Sequence, residues 1–478
     1  MRQFRLLPLI IATALFMENM DSTVISTSLP MIAQDLGTDP IALKLALTSY
    51  LISLAIFIPI SGWVADKYGS RTIFTAAIGV FMAGSLACAG ANSLEGFVIA
   101  RFMQGMGGAM MVPVGRLVLL RSVPRNEVVQ ALATLTIPAL IGPVVGPPLG
   151  GFITTYFHWR WIFFINIPIG ILGIVLATIF IPNIREEDTP PLDLVGFLLS
   201  GIGLALLMLG LASGGRHLIP EQISLGCVVV GTLCVILYVF HARRTPHPVL
   251  QLGLLRVPTF RSSVLGGSLF RIGVGAIPFL LPLMLQIGFG LNPLASGSLT
   301  FVAAVGALFM KTMAKRILER FGFRRVLTIN AFIGAAFIAI NGFFTPETPH
   351  WLIMLILLIG GCFRSLQFTS LNAIAYAEVS KRDMSYATSL SSAAQQVALS
   401  MGVAFGAYVV EAAAHVRGST AIAAEDFGPA FWAVAAISAL SGFIFARLSP
   451  AAGAEMSGHR AVEEKTPSTG LGDGMDGR

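Results

Sequence analysis

Gly62-Trp63-Val64-Ala65-Asp66-Lys67-Tyr68-Gly69-Ser70-Arg71 is a polar link between two apolar runs, and its skeleton returns 253 residues later as Glu319-Arg320-Phe321-Gly322-Phe323-Arg324. Acid, glycine and arginine recur at one spacing and in one hydropathic setting, so the chain reads as two copies of a helical unit. Outward from the two copies the sequence divides into fourteen apolar stretches, from 6–29 and 42–64 to 385–410 and 428–447. Each is close to the ~20 residues that carry a helix across a ~30 Å hydrocarbon core. Six fall within residues 1–183 and six within 251–447. The two extra ones, 192–212 and 222–241, lie in 184–250, and the polar end 448–478 is expected to be a disordered cytoplasmic tail. The predicted fold class is all-α and integral to a membrane: two parallel six-helix halves plus two extra helices, fourteen transmembrane helices in all.

Composition agrees with this division. Of 478 residues 55% are hydrophobic and 12% charged, against about 25% charged in a soluble domain. A water-facing globular surface and a disordered chain are both excluded. The net charge of +7 is explained by basic cytoplasmic loops, with no nucleic-acid partner. Of 31 Lys and Arg, only Lys44, Arg160, Arg216 and Arg417 fall on one set of loops. That bias puts both termini in the cytoplasm of a multi-pass inner-membrane protein. Cys88, Cys227, Cys234 and Cys362 lie in apolar runs without metal-ligand spacing, so neither metal nor cofactor is expected. No G-x-x-x-x-G-K-[ST] run is present, which argues against ATP as the driver.

Charges at membrane depth need a reason. Glu18 and Asp21 are three residues apart on one helix face. At 1.5 Å per residue Asp21 lies about 22 Å from one side and Arg101 about 9 Å from the other. They are level in a ~30 Å core, and the same arithmetic sets Glu18 opposite Gln104, which makes Gln104 a candidate lining residue of a substrate cavity. Arg271 and Arg364 share the inner half of the membrane, where they face a cavity, bind carbonyls or snorkel to the interface. Lys311, Lys315 and Arg116 read as interfacial. A polar stripe, Ser389, Ser392, Gln395, Gln396 and Ser400, marks the thirteenth stretch as a cavity lining or a hydrogen-bonded helix contact.

Further motifs are Met20-Asp21-Ser22-Thr23-Val24 with Leu29-Pro30, Arg101-x-x-Gln104-Gly105-x-Gly107-Gly108-Ala109, Gly142-Pro143-x-x-Gly146-Pro147-x-x-Gly150-Gly151, and Trp161-Ile162-Phe163-Phe164-Ile165-Asn166-Ile167-Pro168. With the Gly62–Arg71 link, they resemble the major facilitator superfamily in its fourteen-span drug:proton antiporter branch, over nearly the whole chain. The resemblance implies proton-driven export of varied hydrophobic compounds and neighbouring first and fourth spans. It also makes a periplasmic adaptor a candidate partner.

Physically, an Asp21–Arg101 pair with Glu18 beside it couples protons if a carboxylate is balanced between the ionised form its arginine favours and the protonated form burial favours. The bland reading is a static buried ion pair, and Glu18 has the alternative of contacting cationic substrates. Gly62, Asp66, Gly69 and Arg71 read as a gate: Asp66 against a facing helix N-terminus, Gly69 in the turn, Arg71 paired in one state. Gly142, Gly146 and Gly150 form a small-residue stripe expected to seal the contact between the halves.

The expected function is secondary active efflux, protons inward against hydrophobic compounds outward, with many unrelated compounds as substrates. The alternative is a proton-coupled exporter of one endogenous anionic metabolite or siderophore held by Arg271 and Arg364. A membrane enzyme using Glu18 and Asp21 as acid and base lacks a nucleophile–His pair or metal cluster, and no enzymatic activity is expected.

Overall fold

The computed structural model describes residues 2–38, 40–213, 220–419 and 422–459. Arg216, residues 460–478 and the side chains of Lys44, Leu29, Pro30, Pro143, Pro147 and Gly151 lie outside the described residues. Among the described residues the regular structure is entirely helical. In lipid only internally bonded backbone is tolerated, so apolar runs of this length fold as helices.

The first half comprises α1 (Arg2–Asp35), α2 (Pro40–Phe57), α3 (Ser61–Tyr68), α4 (Ser70–Gly90), α5 (Leu94–Ser122), α6 (Val128–Tyr156), α7 (Trp161–Phe164) and α8 (Asn166–Phe180). The pair α9 (Leu194–Ser213) and α10 (Glu221–Arg244) follows. The second half holds α11 (Pro258–Leu283), α12 (Pro293–Asn341), α13 (His350–Ile374), α14 (Met384–Val416) and α15 (Phe427–Ala446), and α16 (Ala454–Ser457) ends the described chain. Within the halves α1 packs on α6, α4 on α5, α11 on α14 and α12 on α13; α9 touches α2 of one half and α14 of the other.

The repeat is visible in the backbone. Gly69 (φ 95°) breaks α3 from α4, and Gly322 (φ 71°) breaks α12 into two arms. Both conformations belong to glycine. The matching arginines do matching work: Arg71 Nη1 donates to the Thr178 carbonyl at 3.4 Å and Arg324 Nε to the Ala446 carbonyl at 3.1 Å, each at the end of its half's last long helix.

Ten described helices are long and apolar enough to cross a membrane, eleven if α2 and α3, bent by 59°, form one span. Residues 448–459 depart from the expected tail. Leu448, Ala452 and Met456 are buried at four-residue spacing, His459 Nδ1 donates to the Glu319 carbonyl at 2.9 Å, and Glu455 pairs with Arg125 at 3.1 Å. Three apolar side chains on one side of this short segment give it a docking face that its polar composition hides.

Candidate functional site

A cavity of about 2040 Å³ lies between the halves. Its lining reaches Leu149 on α6 and Gly297 on α12, near the ends of those helices remote from the chain termini. At the termini face the halves lock together. Ser389 Oγ accepts from the Gly62 amide at 2.9 Å and lies 3.0 Å from Ser61 Oγ. Arg125 donates to the Ala377 carbonyl at 2.9 Å. Asp66 accepts from the Ser385 hydroxyl in the first turn of α14 and ion-pairs with Arg121 at 2.9 Å, and Arg121 also reaches Glu186 at 3.1 Å. Arg121, Glu186, Ser385 and Ser389 carry this lock with the anticipated Gly62 and Asp66, whereas the other two anticipated residues stay within their own half, Gly69 in the turn and Arg71 on the Thr178 carbonyl. Ser389 stood out in the polar stripe of the thirteenth stretch, but nothing in the sequence spacing marked Arg121, Glu186 or Ser385.

Beside the cavity sits a sealed polar knot. Asp21, 2% exposed, accepts from Arg101 Nη1 at 2.6 Å, Gln104 Nε2 at 2.9 Å and Asn166 Nδ2 at 2.8 Å. Gln104 also donates to Ser85 Oγ at 2.8 Å. Matched depth had anticipated the Asp21–Arg101 pair, but Gln104 faces Asp21 rather than Glu18. Glu18 instead turns to the cavity, where Oε1 accepts from Tyr50 at 3.4 Å and Oε2 is buried without a hydrogen-bond partner. Tyr50 and Asn166 were not singled out as site residues. Asn166 is a lone polar side chain within an apolar run and Tyr50 closes the polar cluster Thr48-Ser49-Tyr50 within another, and that was the available signal.

Several side chains stand elsewhere than expected. Gln104 and Arg271 are absent from the cavity wall. Arg271 is 1% exposed and donates to Asn372 Oδ1 at 3.3 Å, one layer behind the wall that Asn372 lines. Arg364, Gln395 and Gln396 do line the cavity. So do Arg116 and Lys311, which were expected at the interface; each points inward from a buried helix position. Gly142 and Gly146 of the glycine stripe do not join the halves. A Cβ at Gly142 would meet the Met20 amide nitrogen at 3.0 Å, and one at Gly146 would meet the Thr23 side chain, so this face carries α1 of the same half. The absent side chains let the two backbones approach.

Two structurally repeated halves of long apolar helices, closed together at one face around an internal cavity, define a multi-pass membrane transporter. The chain belongs to the Major Facilitator Superfamily, whose family model matches residues 11–240 and 263–471. It is 37% identical over 444 residues to "Putative multidrug resistance protein MdtD" of Escherichia coli (strain K12), covering 92% of this chain and 93% of that one. The same-named protein of Shigella sonnei (strain Ss046) is 38% identical over the same shares. Among solved structures the fold matches the human organic anion transporter MFSD10 (TETRAN), with TM-score 0.67, 13% identity and 92% and 99% of the two chains covered. The proton:xylose symporter XylE matches with TM-score 0.66, 14% identity and 92% and 95% coverage.

Proposed function

We propose that the protein exports hydrophobic compounds across the inner membrane in exchange for protons, with both termini cytoplasmic. The observation that carries this reading is Glu18: a carboxylate on the wall of a large, mostly apolar cavity, with one oxygen free of partners and the other joined through Tyr50 to the sealed Asp21–Arg101 pair. A proton adds to Oε2 without breaking a bond. Loading it lets Glu18 pass through the closed state uncharged, and water reaching it when the loading side opens favours release of the proton there. Asp21, already held by three donors, serves as the fixed partner that keeps Arg101 under Tyr50. The name of the 37% identical relative supports varied substrates.

Alternating access follows from the lock at the termini face. When it forms, the cavity faces away from the termini, the release side of an exporter; when Gly62, Asp66 and their partners on α14 separate, the loading side opens. The two six-helix halves at 1–183 and 251–447, with an added pair between, remain our division of the chain. With α1, α6 and the second arm of α12 beside the eleven apolar spans, fourteen is the count we favour.

The test is substrate-driven proton release from proteoliposomes, paired with a susceptibility screen of cells with and without the protein. Release that depends on substrate, and protection against unrelated compounds, are expected. Protection against a single metabolite would favour a dedicated exporter instead.

A further inference from the structure

We propose that the cavity takes amphiphilic organic anions, with the anionic head on a ladder formed by Arg364, Lys311 and Arg116. This deepens the export reading and rests on it. All three side chains line the cavity, and among the described lining residues Glu18 is the single acid. Lys311 is 4% exposed, and its ammonium has one hydrogen bond, to Thr369 Oγ1 at 2.7 Å. Among the described residues Arg116 reaches only the neutral Tyr376 hydroxyl, at 3.4 Å. Arg364 makes neither hydrogen bond nor ion pair among the described residues, and Arg271 adds its charge from behind Asn372.

The spacing gives the ladder its length. Arg364 and Asn372 are eight residues apart on α13, about 12 Å at 1.5 Å per residue. Lys311 is anchored between them at Thr369. Buried cations are costly unless an anion meets them, and here the protein supplies none on that wall. Donors are left over, three per ammonium and five per guanidinium against the few bonds made. A carboxylate, sulfonate or phosphate matches a guanidinium fork with two parallel bonds, whereas a neutral acceptor leaves the charge uncompensated. Elsewhere the lining is mostly apolar, with Leu51, Val112, Val145 and Phe301. The complement is a molecule with an apolar body and an anionic head.

The test titrates two bicyclic aromatics of matched size, naphthalene-2-sulfonate and the cation N-methylquinolinium, into the full-length protein in phosphatidylcholine nanodiscs by calorimetry. Wild type should bind the sulfonate more tightly than the cation, and added sodium chloride should weaken the sulfonate alone. Lys311→Gln and Arg364→Gln should each weaken the sulfonate about tenfold, the loss of one charge-assisted contact, without weakening the cation. Lys311→Arg should restore it. Tighter binding of the cation by wild type, or sulfonate binding indifferent to salt and to both glutamine variants, overturns the proposal. The wild-type comparisons hold even if a variant fails to fold. Repeating the titration in phosphatidylglycerol nanodiscs identifies the source of the anion: competition assigns the ladder to a lipid headgroup, and its absence to a free solute. Ladder-dependent binding without proton-driven export would overturn the efflux reading alone. Proton-driven export with ladder-independent binding would overturn this inference alone.

Discussion

Tyr50 donates to Glu18 Oε1 at 3.4 Å while its ring carries the Arg101 guanidinium 4.5 Å from the centroid. One side chain thereby touches both the cavity carboxylate and the buried ion pair. A change of charge on Glu18 is felt at Arg101 through this ring, because a cation over an aromatic face is held electrostatically.

Glu18→Gln should abolish substrate-driven proton release while leaving substrate binding in place. Tyr50→Phe should keep release but shift its pH dependence, since only the hydroxyl contact is lost. Both are read with a trapped pH-sensitive dye in proteoliposomes. Wild-type release from Glu18→Gln would remove Glu18 from the coupling step.

Asp21→Ala should behave differently. It leaves Arg101, 1% exposed, without its anion. Removing one partner of a buried pair costs about 3–5 kcal/mol. A marked fall in melting temperature in detergent is expected, larger than for Glu18→Gln. Equal melting of the two variants would show that Asp21 is not the structural anchor.

Gly62→Ala should open the termini face. An added Cβ would meet the Ser385 carbonyl oxygen at 2.5 Å and Ser389 Oγ at 2.7 Å, so α14 must move away. Spin labels at the exposed positions Tyr68 and Lys381 would report a longer distance by pulsed electron resonance. An unchanged distribution would mean that the lock does not depend on this contact.

The limits of what the sequence discloses follow from the kinds of contact involved. Apolar runs announce their helices because lipid leaves the backbone no other choice. Asp21 and Arg101 could be matched because depth is additive along a helix. Rotation about the helix axis is set by packing, and that is where the reading failed: Gln104 and Arg271 turned from the cavity, and Arg116 and Lys311 turned into it. The Gly142–Gly146 face announced a close helix neighbour but not which one. A small-residue stripe specifies distance, not identity.

At the face remote from the termini, Asp35 accepts from Trp159 Nε1 at 2.9 Å and from Arg160 at 2.7 Å. The indole N–H, then the guanidinium, hold its carboxyl below the usual aspartate range. Stability from a depressed carboxyl is complete above the unfolded value, about 3.9, and is lost as pH falls through the folded one. Melting followed from pH 6 to pH 3 should therefore show a fall below about pH 4 that Asp35→Asn lacks. Parallel curves would refute the contribution.

The bare seam between α1 and α6 also governs how the machine is geared. Where Gly142 and Gly146 let the two backbones touch there is little side chain to repack, so the pair has little slack and swings as one lever. On the export reading proposed above, Glu18 rides on that lever, and its exchange between the two aqueous sides would be tied to the stroke of the whole half. If that reading holds, a tight transmission of this kind would waste few protons. A bulky residue at Gly146 would act as play in the gearbox, letting protons slip through without cargo although every charged group stayed in place.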